Sequence, residues 1–333
     1  MSKLQLVLWN CSLGDFSVTI SEVTADARSV PTLISAGKRF VRQEGLAPRP
    51  NTSTVTAYFE VLKPKETSLL IFVGICSAIA GAGGQFDLSR FLLVLVTVGL
   101  LTGGVNGLTN YLDRDVDARM IRTRHRSIPS KQISPPERAL IFTATVTAIG
   151  LGLAWVLHPY CFAAGLVGTI AAGVVRKTVL CPVLGGIASC SPVLIGWLAF
   201  DQSLGLPIGL ICLLIVIWVP LHVWSVMIAN REDYRSAGLR YFPLSHDPNE
   251  VVKVFPWLAV AIYGCSMALY FVGDFKQIYL VVTNILGILL VYASLRLNLS
   301  YSWRDAWRVY KISAFPYLGV LFLGICLDVF LLW

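Results

Sequence analysis

Apolar segments long enough to cross a bilayer recur along this chain from residue 67 onward, separated by short polar connections. A membrane-crossing helix needs about 20 predominantly apolar residues. A backbone exposed to lipid must satisfy its own hydrogen bonds, which favours helices. The sequence therefore predicts an all-α, polytopic membrane helix bundle of about nine transmembrane helices. The expected spans are 67–85, 90–111, 138–157, 160–176, 180–200, 206–229, 252–273, 277–295 and 310–332.

The composition supports a membrane protein. Charged residues make up 14% of the chain and the mean hydropathy is +0.69, whereas soluble domains carry about 25% charged residues. The formal net charge is +8, but its basic residues lie between apolar runs, so the lipid bilayer is the expected partner and nucleic acid is not. The eight cysteines include no C-x-x-C pair, which indicates neither a disulfide framework nor a zinc site.

The chain divides into two parts at about residue 56. Residues 1–56 are mixed and polar, and we expect a weakly ordered cytoplasmic extension, with the membrane domain over 57–333. Basic residues concentrate in alternate loops, so the positive-inside rule places the N-terminus and these loops in the cytoplasm. Asp15, Glu22 and Asp26 argue against a transit peptide, which favours the cell membrane over the mitochondrial inner membrane.

An acidic motif follows the second apolar run. If that helix continues to its polar end, Thr109, Asp113 and Asp117 are four residues apart and share a face. Asn106 and Asn110 extend this stripe of oxygen-bearing side chains. Mg²⁺ takes one or two carboxylates and completes its shell with water and substrate phosphate. The stripe therefore predicts a magnesium site at a membrane boundary, where charge is normally reserved for function.

Basic residues lie directly beyond this motif. Arg122 and Arg126 can bind phosphate oxygens in a planar fork. Asp115 points away from the stripe and would serve a second ion or a salt bridge. The alternative is a solvated loop in which these acids and bases pair with each other.

A second acidic motif follows the sixth apolar run. Glu232 and Asp233 again lie where a span enters a basic loop, which indicates an internal duplication with one site shared between the halves. The alternative is an ordinary charged loop. His222 lies within the apolar run itself, where it would either contact substrate, for example as a haem ligand, or hydrogen-bond to a neighbouring helix.

The string from Asn110 to Arg126 resembles the signature of the UbiA-type intramembrane prenyltransferases, and more narrowly of their haem O synthase branch. The resemblance spans about 58 to 330. Further matching positions are Leu62-Lys-Pro64, Gly185-Gly186, Pro192-Val-Leu-Ile-Gly-Trp197, His222, Arg231-Glu-Asp-Tyr234, Gly238, Tyr317-Leu318, Leu321-Phe322 and Asp328.

The resemblance implies a helix bundle around a central cavity, with two aspartate-rich motifs facing each other at its cytoplasmic end. It implies Mg²⁺, farnesyl diphosphate and haem B as the molecules bound, and haem O as a product to be handed to a haem A synthase. The implied metal ligands are Asp113, Asp117 and Asp233. The implied diphosphate-binding residues are Lys63, Arg122 and Arg126. The remaining residues expected around the substrates are Asn106, Thr109, Asn110, His222, Arg231 and Tyr234.

The chain departs from the family pattern at several positions. Thr109 stands where the family has Asn, Ser127 where it has Pro, and Lys131 where Gly is usual. Ala171 and Cys181 replace an expected Tyr and Asn. The acceptor therefore stays open between haem and an aromatic acid, a quinone precursor or a chlorophyllide. A cation transporter is the alternative from another class, and it would carry ionisable residues near the bilayer midplane. A non-catalytic scaffold would leave both acidic motifs unexplained.

Overall fold

The computed structural model describes residues 53–85, 87–174 and 177–331, whose regular secondary structure is helical, with no strand. Of the expected extension over 1–56, residues 1–52 lie outside the described part. Residues 54–56 form the beginning of the first helix. The α-helices are α1 (Thr54–Val61), α2 (Pro64–Ala82), α3 (Leu88–Asp117), α4 (Glu137–Leu157), α5 (Pro159–Val174), α6 (Cys181–Leu198), α7 (Leu206–Ala229), α8 (Arg231–Ser236), α9 (Pro248–Val251), α10 (Val254–Val272), α11 (Gln277–Ser300), α12 (Trp303–Ile312) and α13 (Val320–Leu331). A kinked π-helical segment, Ser313–Gly319, joins α12 to α13.

Within the described ranges, eight helical stretches are long and apolar enough to cross a membrane. The last of them, Trp303–Phe330, combines α12, the π-helical segment and most of α13. The shorter apolar helix α5 has 16 residues and covers about 24 Å at 1.5 Å per residue. It occupies the position of the expected fourth span. The prediction of an all-α membrane bundle of about nine helices is thus confirmed.

The long helices pack in a closed sequence: α2, α3, α4, α5, α6, α7, α10, α11 and α13, which returns to α2. In addition, α2 packs directly against α6. Small residues permit these close approaches. A Cβ at Gly104 of α3 would collide with Thr147 of α4, and a Cβ at Gly196 of α6 would overlap the carbonyl oxygen of Gly74 in α2.

The end of the bundle where α3 ends and α8 begins carries both acidic motifs, and we call it the acidic end. A small apolar cluster joins the two motifs there. Met120, directly after α3, is fully buried against Met227 of α7, Tyr234 of α8, and Leu239 and Leu244 of the following loop. Burial of apolar side chains from both segments therefore holds the first motif against the second.

Candidate active site

The last turns of α3 present one buried acidic face. Asp113 and Asp117 are 5% and 1% exposed, and Thr109 one turn earlier is also buried. The side chain of Asp115, between the two acids, is 81% exposed. The helical period therefore separates the three aspartates as the sequence predicted. Two carboxylates point into the protein and one into solvent.

Two cations neutralise the buried carboxylates. Arg126 donates from Nη1 to Asp117 Oδ2 over 2.7 Å. Lys177, in the connection between α5 and α6, places Nζ 3.7 Å from Asp113 Oδ2 and 3.7 Å from Asp117 Oδ1. Removing either cation would leave buried negative charge uncompensated, which is strongly unfavourable.

The acid pair fits a divalent cation of the Mg²⁺ type. Asp117 Oδ1 is buried and accepts no hydrogen bond from any described residue. Together with Asp113 it offers the two carboxylates that Mg²⁺ commonly uses, leaving the other positions for water and phosphate. Among the residues that the structure describes, no three metal-binding side chains come together. The assignment of Asp233 as a third metal ligand stays a prediction.

Polar contacts hold the start of α2 against the same stretch of α3. Lys63 immediately precedes Pro64, which begins α2, and adopts a left-handed backbone with φ of 50°. Its ammonium donates to Thr109 Oγ1 over 3.3 Å. Asn110 Nδ2 donates to the carbonyl of Val61 over 2.7 Å. Lys63 is thus brought to within one helical turn of Asp113.

Asn106, one turn before Asn110, is also tied to α2. Its Nδ2 donates to Thr67 Oγ1 over 3.0 Å, and Thr67 in turn donates to the carbonyl of Leu62 over 2.6 Å. Both asparagines therefore use their amide nitrogens to fix α3 against the beginning of α2. The oxygen of Asn110, Oδ1, accepts from Arg126 over 3.5 Å.

A cavity of about 210 Å³ opens beside this region, between α2, α3, α5 and α6. Lys63, Asn106 and Thr109 line its polar part. Its remaining wall is mainly small or apolar and includes Ala171 and Gly185. The cavity therefore runs from the cationic and hydroxyl groups near the acid pair into the apolar interior, a shape suited to a phosphate head with an apolar tail.

The second motif contacts the backbone of the first. Asp233 Oδ1 accepts from the amide of Ile121 over 2.6 Å, and Oδ2 accepts from the amide of Arg122 over 3.1 Å. Both motifs therefore lie at one end of the bundle, as the sequence predicted. The carboxylate of Asp233, which is predicted to bind metal, accepts hydrogen bonds from two backbone amides of the turn that follows α3.

Arg122 also contacts α8 through its side chain. Its Nη2 donates to Tyr234 Oη over 2.9 Å, and the guanidinium carbon lies 5.6 Å from the Tyr234 ring centroid. Its Nε is buried and has no hydrogen-bond partner among the described residues. Tyr234 thus orients a guanidinium that retains an unused donor.

Arg231 serves the adjoining loop. Its Nη2 donates to the carbonyl of Leu244 over 3.0 Å and to that of His246. Burial lowers the pKa of the Arg231 guanidinium, the nearby Arg235 cation lowers it further, and Asp247 raises it. The structure places this guanidinium against loop carbonyls rather than in the cavity described above.

His222 lies in an aromatic stack on α7. Its ring is stacked between Trp218 and Tyr310, with centroids 4.7 Å and 4.6 Å away. His222 Nδ1 and Ser313 Oγ lie 2.9 Å apart and share a hydrogen bond, and Ser313 Oγ also lies within 3.0 Å of the Tyr310 carbonyl oxygen, to which it can donate. A neutral imidazole protonated at Nδ1 keeps a lone pair on Nε2. His222 is not among the residues that line the cavity between α2, α3, α5 and α6.

Sequence reasoning missed Lys177 as a site residue. The one available signal was the pair Arg176-Lys177, which interrupts an otherwise continuous apolar stretch from 160 to 200. Charge at such a position is costly in a membrane and is usually retained for function. The sequence by itself indicates only a loop between two spans here, because contact of this loop with α3 depends on how α5 and α6 pack.

Comparison with known proteins agrees with these observations. A model of the UbiA prenyltransferase family matches residues 69–319. The protoheme IX farnesyltransferase of Desulforudis audaxviator is 35% identical over 286 residues, which cover 84% of this chain and 90% of that protein.

Solved structures share the fold. The chain resembles a structure described as digeranylgeranylglyceryl phosphate synthase, with a TM-score of 0.69 and 19% identity over 84% of this chain and 99% of that chain. A UbiA homologue from Archaeoglobus fulgidus, bound to GPP and Mg²⁺, aligns with a TM-score of 0.58 and 16% identity over 81% of this chain and 99% of that one. The helical architecture is therefore common to all three.

Proposed function

The chain belongs to the UbiA prenyltransferase family, and we propose that it transfers a farnesyl group from farnesyl diphosphate to the vinyl group of haem B, giving haem O, with Mg²⁺ as cofactor. The protoheme IX farnesyltransferase to which it is 35% identical supports this choice of substrates. The homologue bound to GPP and Mg²⁺ supports the prenyl diphosphate and the metal. The protein is a multi-pass membrane prenyltransferase.

One observation carries the proposal. The buried carboxylates of Asp113 and Asp117 lie at the acidic end with Lys177 and Arg126 bound to them, and Lys63 lies one turn away. A diphosphate brings several negative oxygens, so it needs both a cation held by carboxylates and direct basic donors. A transporter would need charge along the whole path, whereas this cluster lies at one end.

Basic side chains would bind the diphosphate leaving group and stabilise its negative charge. Asp113 and Asp117 would hold Mg²⁺, which when bound supplies positive charge to the diphosphate. The basic side chains that would donate to the diphosphate oxygens are Lys63, Arg122, Arg126 and Lys177. The allylic C–O bond then breaks with its electron pair leaving on the diphosphate, and a farnesyl cation remains. One positioned donor in a water-poor site contributes roughly 3 kcal/mol to such a step.

The acceptor side involves α7 and α12. A haem vinyl carbon attacks the farnesyl cation, and water adds to the resulting cation with loss of a proton, which gives the hydroxyethylfarnesyl group. We propose that His222 is protonated at Nδ1 and contacts the porphyrin through Nε2, because imidazole is a common haem ligand. The stacked rings of Trp218 and Tyr310 hold the imidazole in one orientation.

We further propose that the enzyme lies in the cell membrane with the acidic end facing the cytoplasm. The basic loops lie at that end, which is the arrangement that the positive-inside rule describes. Hand-over of haem O to a haem A synthase is part of the same proposal.

Product analysis tests the proposal directly. Full-length protein in nanodiscs is incubated with haem B, isotopically labelled farnesyl diphosphate and Mg²⁺, and the pigments are separated and identified by mass. We expect labelled haem O, and none with a chelator in place of Mg²⁺. Transfer of label to an aromatic acid, with none to haem, would overturn the choice of acceptor while leaving the enzyme class intact.

Matched variants on α3 test the site. Asp113→Asn and Asp117→Asn should each lower turnover about 100-fold or more, since a misplaced leaving-group charge costs roughly 3 kcal/mol. Asp115→Asn removes the same charge from the same helix at an exposed position and should retain nearly full turnover. Equal activity in all three would contradict the assignment.

A further inference from the structure

A groove of about 520 Å³ runs along the outer face of α11 near the acidic end. Its walls are formed by Tyr292, Leu295, Arg296, Leu299 and Ser300. These positions extend over about 12 Å of helix. α11 is one of the candidate membrane spans, and Leu299 is 79% exposed. An apolar slot with a guanidinium beside it therefore opens onto the surface that lipid would cover.

The guanidinium belongs to a cluster with excess positive charge. The buried carboxylate of Asp305 accepts from Ser300 Oγ over 2.6 Å. Its Oδ1 is bound by Arg296 Nε at 3.1 Å and also by Arg308 Nη1. Both arginine side chains are about half exposed. One carboxylate thus orients two guanidinium groups, each of which keeps further N–H donors for an anion.

The outer face of α12 continues this positive surface. Arg304, Arg308 and Lys311 are exposed and follow one another at helical spacing, while Ala306 and Val309 are buried on the opposite side. Trp303 is also exposed, at the start of the helix. A short amphipathic helix with basic residues and an exposed tryptophan is typical of a membrane interface.

We propose that this surface is a binding site for one anionic phospholipid. Its phosphodiester is bound by Arg296 and Arg308, and an acyl chain lies in the groove along Tyr292, Leu295 and Leu299. An anionic head group is preferred, because the ammonium of a zwitterionic lipid would face the same cations. The bilayer is the expected source of this lipid, since the groove lies on a candidate membrane span whose large exposed side chains are mainly apolar.

The site also adjoins the proposed acceptor region. Tyr310 on the inner side of α12 stacks on His222, so lipid bound on the outer side would stabilise the helix that carries this contact. The proposal does not depend on the reaction that the enzyme catalyses, because it rests on the groove and the Asp305 cluster alone.

Lipid retention tests the proposal. The full-length protein is purified in a neutral detergent and titrated with dioleoylphosphatidylglycerol, dioleoylphosphatidylcholine or glycerol 3-phosphate. Bound lipid is counted by native mass spectrometry, and the melting temperature is measured in parallel. We expect one phosphatidylglycerol per chain to be retained preferentially and to raise the melting temperature, with both effects weakened by salt. Equal effects of phosphatidylcholine, or an equal effect of glycerol 3-phosphate without acyl chains, would overturn the proposal.

Two variants address the head-group and acyl contacts separately. Arg296→Gln leaves Arg308 to neutralise Asp305 and should weaken phosphatidylglycerol binding about fivefold, the effect of one basic residue near an anionic head group. Leu299→Glu leaves the Asp305 cluster intact and should also reduce retention, because it places a negative charge in the groove. Arg138→Gln, at an exposed position on α4, is the matched control and should bind as the wild type does. Unchanged retention in both test variants, or an equal loss in the control, would refute the site.

Discussion

Replacing Asp233 by asparagine distinguishes two roles for the second acidic motif. The sequence resemblance assigns this carboxylate to the metal, whereas in the structure both of its oxygens accept from the backbone amides of Ile121 and Arg122. Asparagine has nearly the same shape but keeps only one acceptor. The amide nitrogen that replaces the other oxygen would face an N–H donor, so one hydrogen bond is lost and the charge on the other disappears.

The structure sets the size of the effect. A hydrogen bond to a charged group contributes about 1.5–3 kcal/mol, and Asp233 is only partly buried. We therefore expect the free energy that holds the turn after α3 against α8 to fall by about 2 kcal/mol. At about 1.4 kcal/mol per factor of ten, this corresponds to roughly 30-fold faster opening of that turn. Arg122 would then be less well positioned, and turnover should fall about tenfold.

Hydrogen exchange and metal binding together report the outcome. Amide exchange of peptides covering residues 118–126 should accelerate in Asp233→Asn, while Mn²⁺ affinity, measured by electron paramagnetic resonance, should stay within about threefold of the wild-type value. Glu232→Gln removes a neighbouring exposed charge and should change neither quantity. Unchanged exchange with a more than tenfold loss of Mn²⁺ affinity would show that Asp233 is a metal ligand and that the positioning argument is wrong.

Three further substitutions, one of them paired with a control substitution, test other contacts. Lys177→Met removes the ammonium that lies 3.7 Å from both buried acids. Substrate-free protein should then bind Mn²⁺ about tenfold more tightly in calorimetry, equivalent to about 1.4 kcal/mol, while turnover falls. Unchanged Mn²⁺ affinity would contradict this expectation. Gly196→Ala should destabilise the protein by about 1–3 kcal/mol through overpacking against Gly74, visible as a lower melting temperature. Gly209→Ala, with open space around it, should be close to wild type. His222→Ala should weaken haem binding about tenfold in a Soret titration without altering farnesyl diphosphate affinity; an identical Soret titration would refute the haem contact.

Local properties of the chain were sufficient to predict the helices and the orientation of the first motif. Hydropathy over windows of about 20 residues locates the spans, because each helix must cross the hydrocarbon core of the bilayer whichever helices become its neighbours. The separation of Asp113 and Asp117 from Asp115 follows from the helical period alone. The division of 160–200 into two expected spans falls in the stretch where α5 has 16 residues and Arg176-Lys177 interrupts the apolar run.

Contacts between segments that are far apart in the sequence could be identified only from the folded structure. Lys177 reaches the acid pair, Asp233 binds amides 111 and 112 residues away, and His222 pairs with Ser313, 91 residues away. Such pairings depend on which helices become neighbours and on their rotation about their axes. Packing of small residues and buried apolar side chains decides this, and no local period encodes it. The chain's own pattern therefore specifies which residues face inward, whereas tertiary packing decides which of them meet.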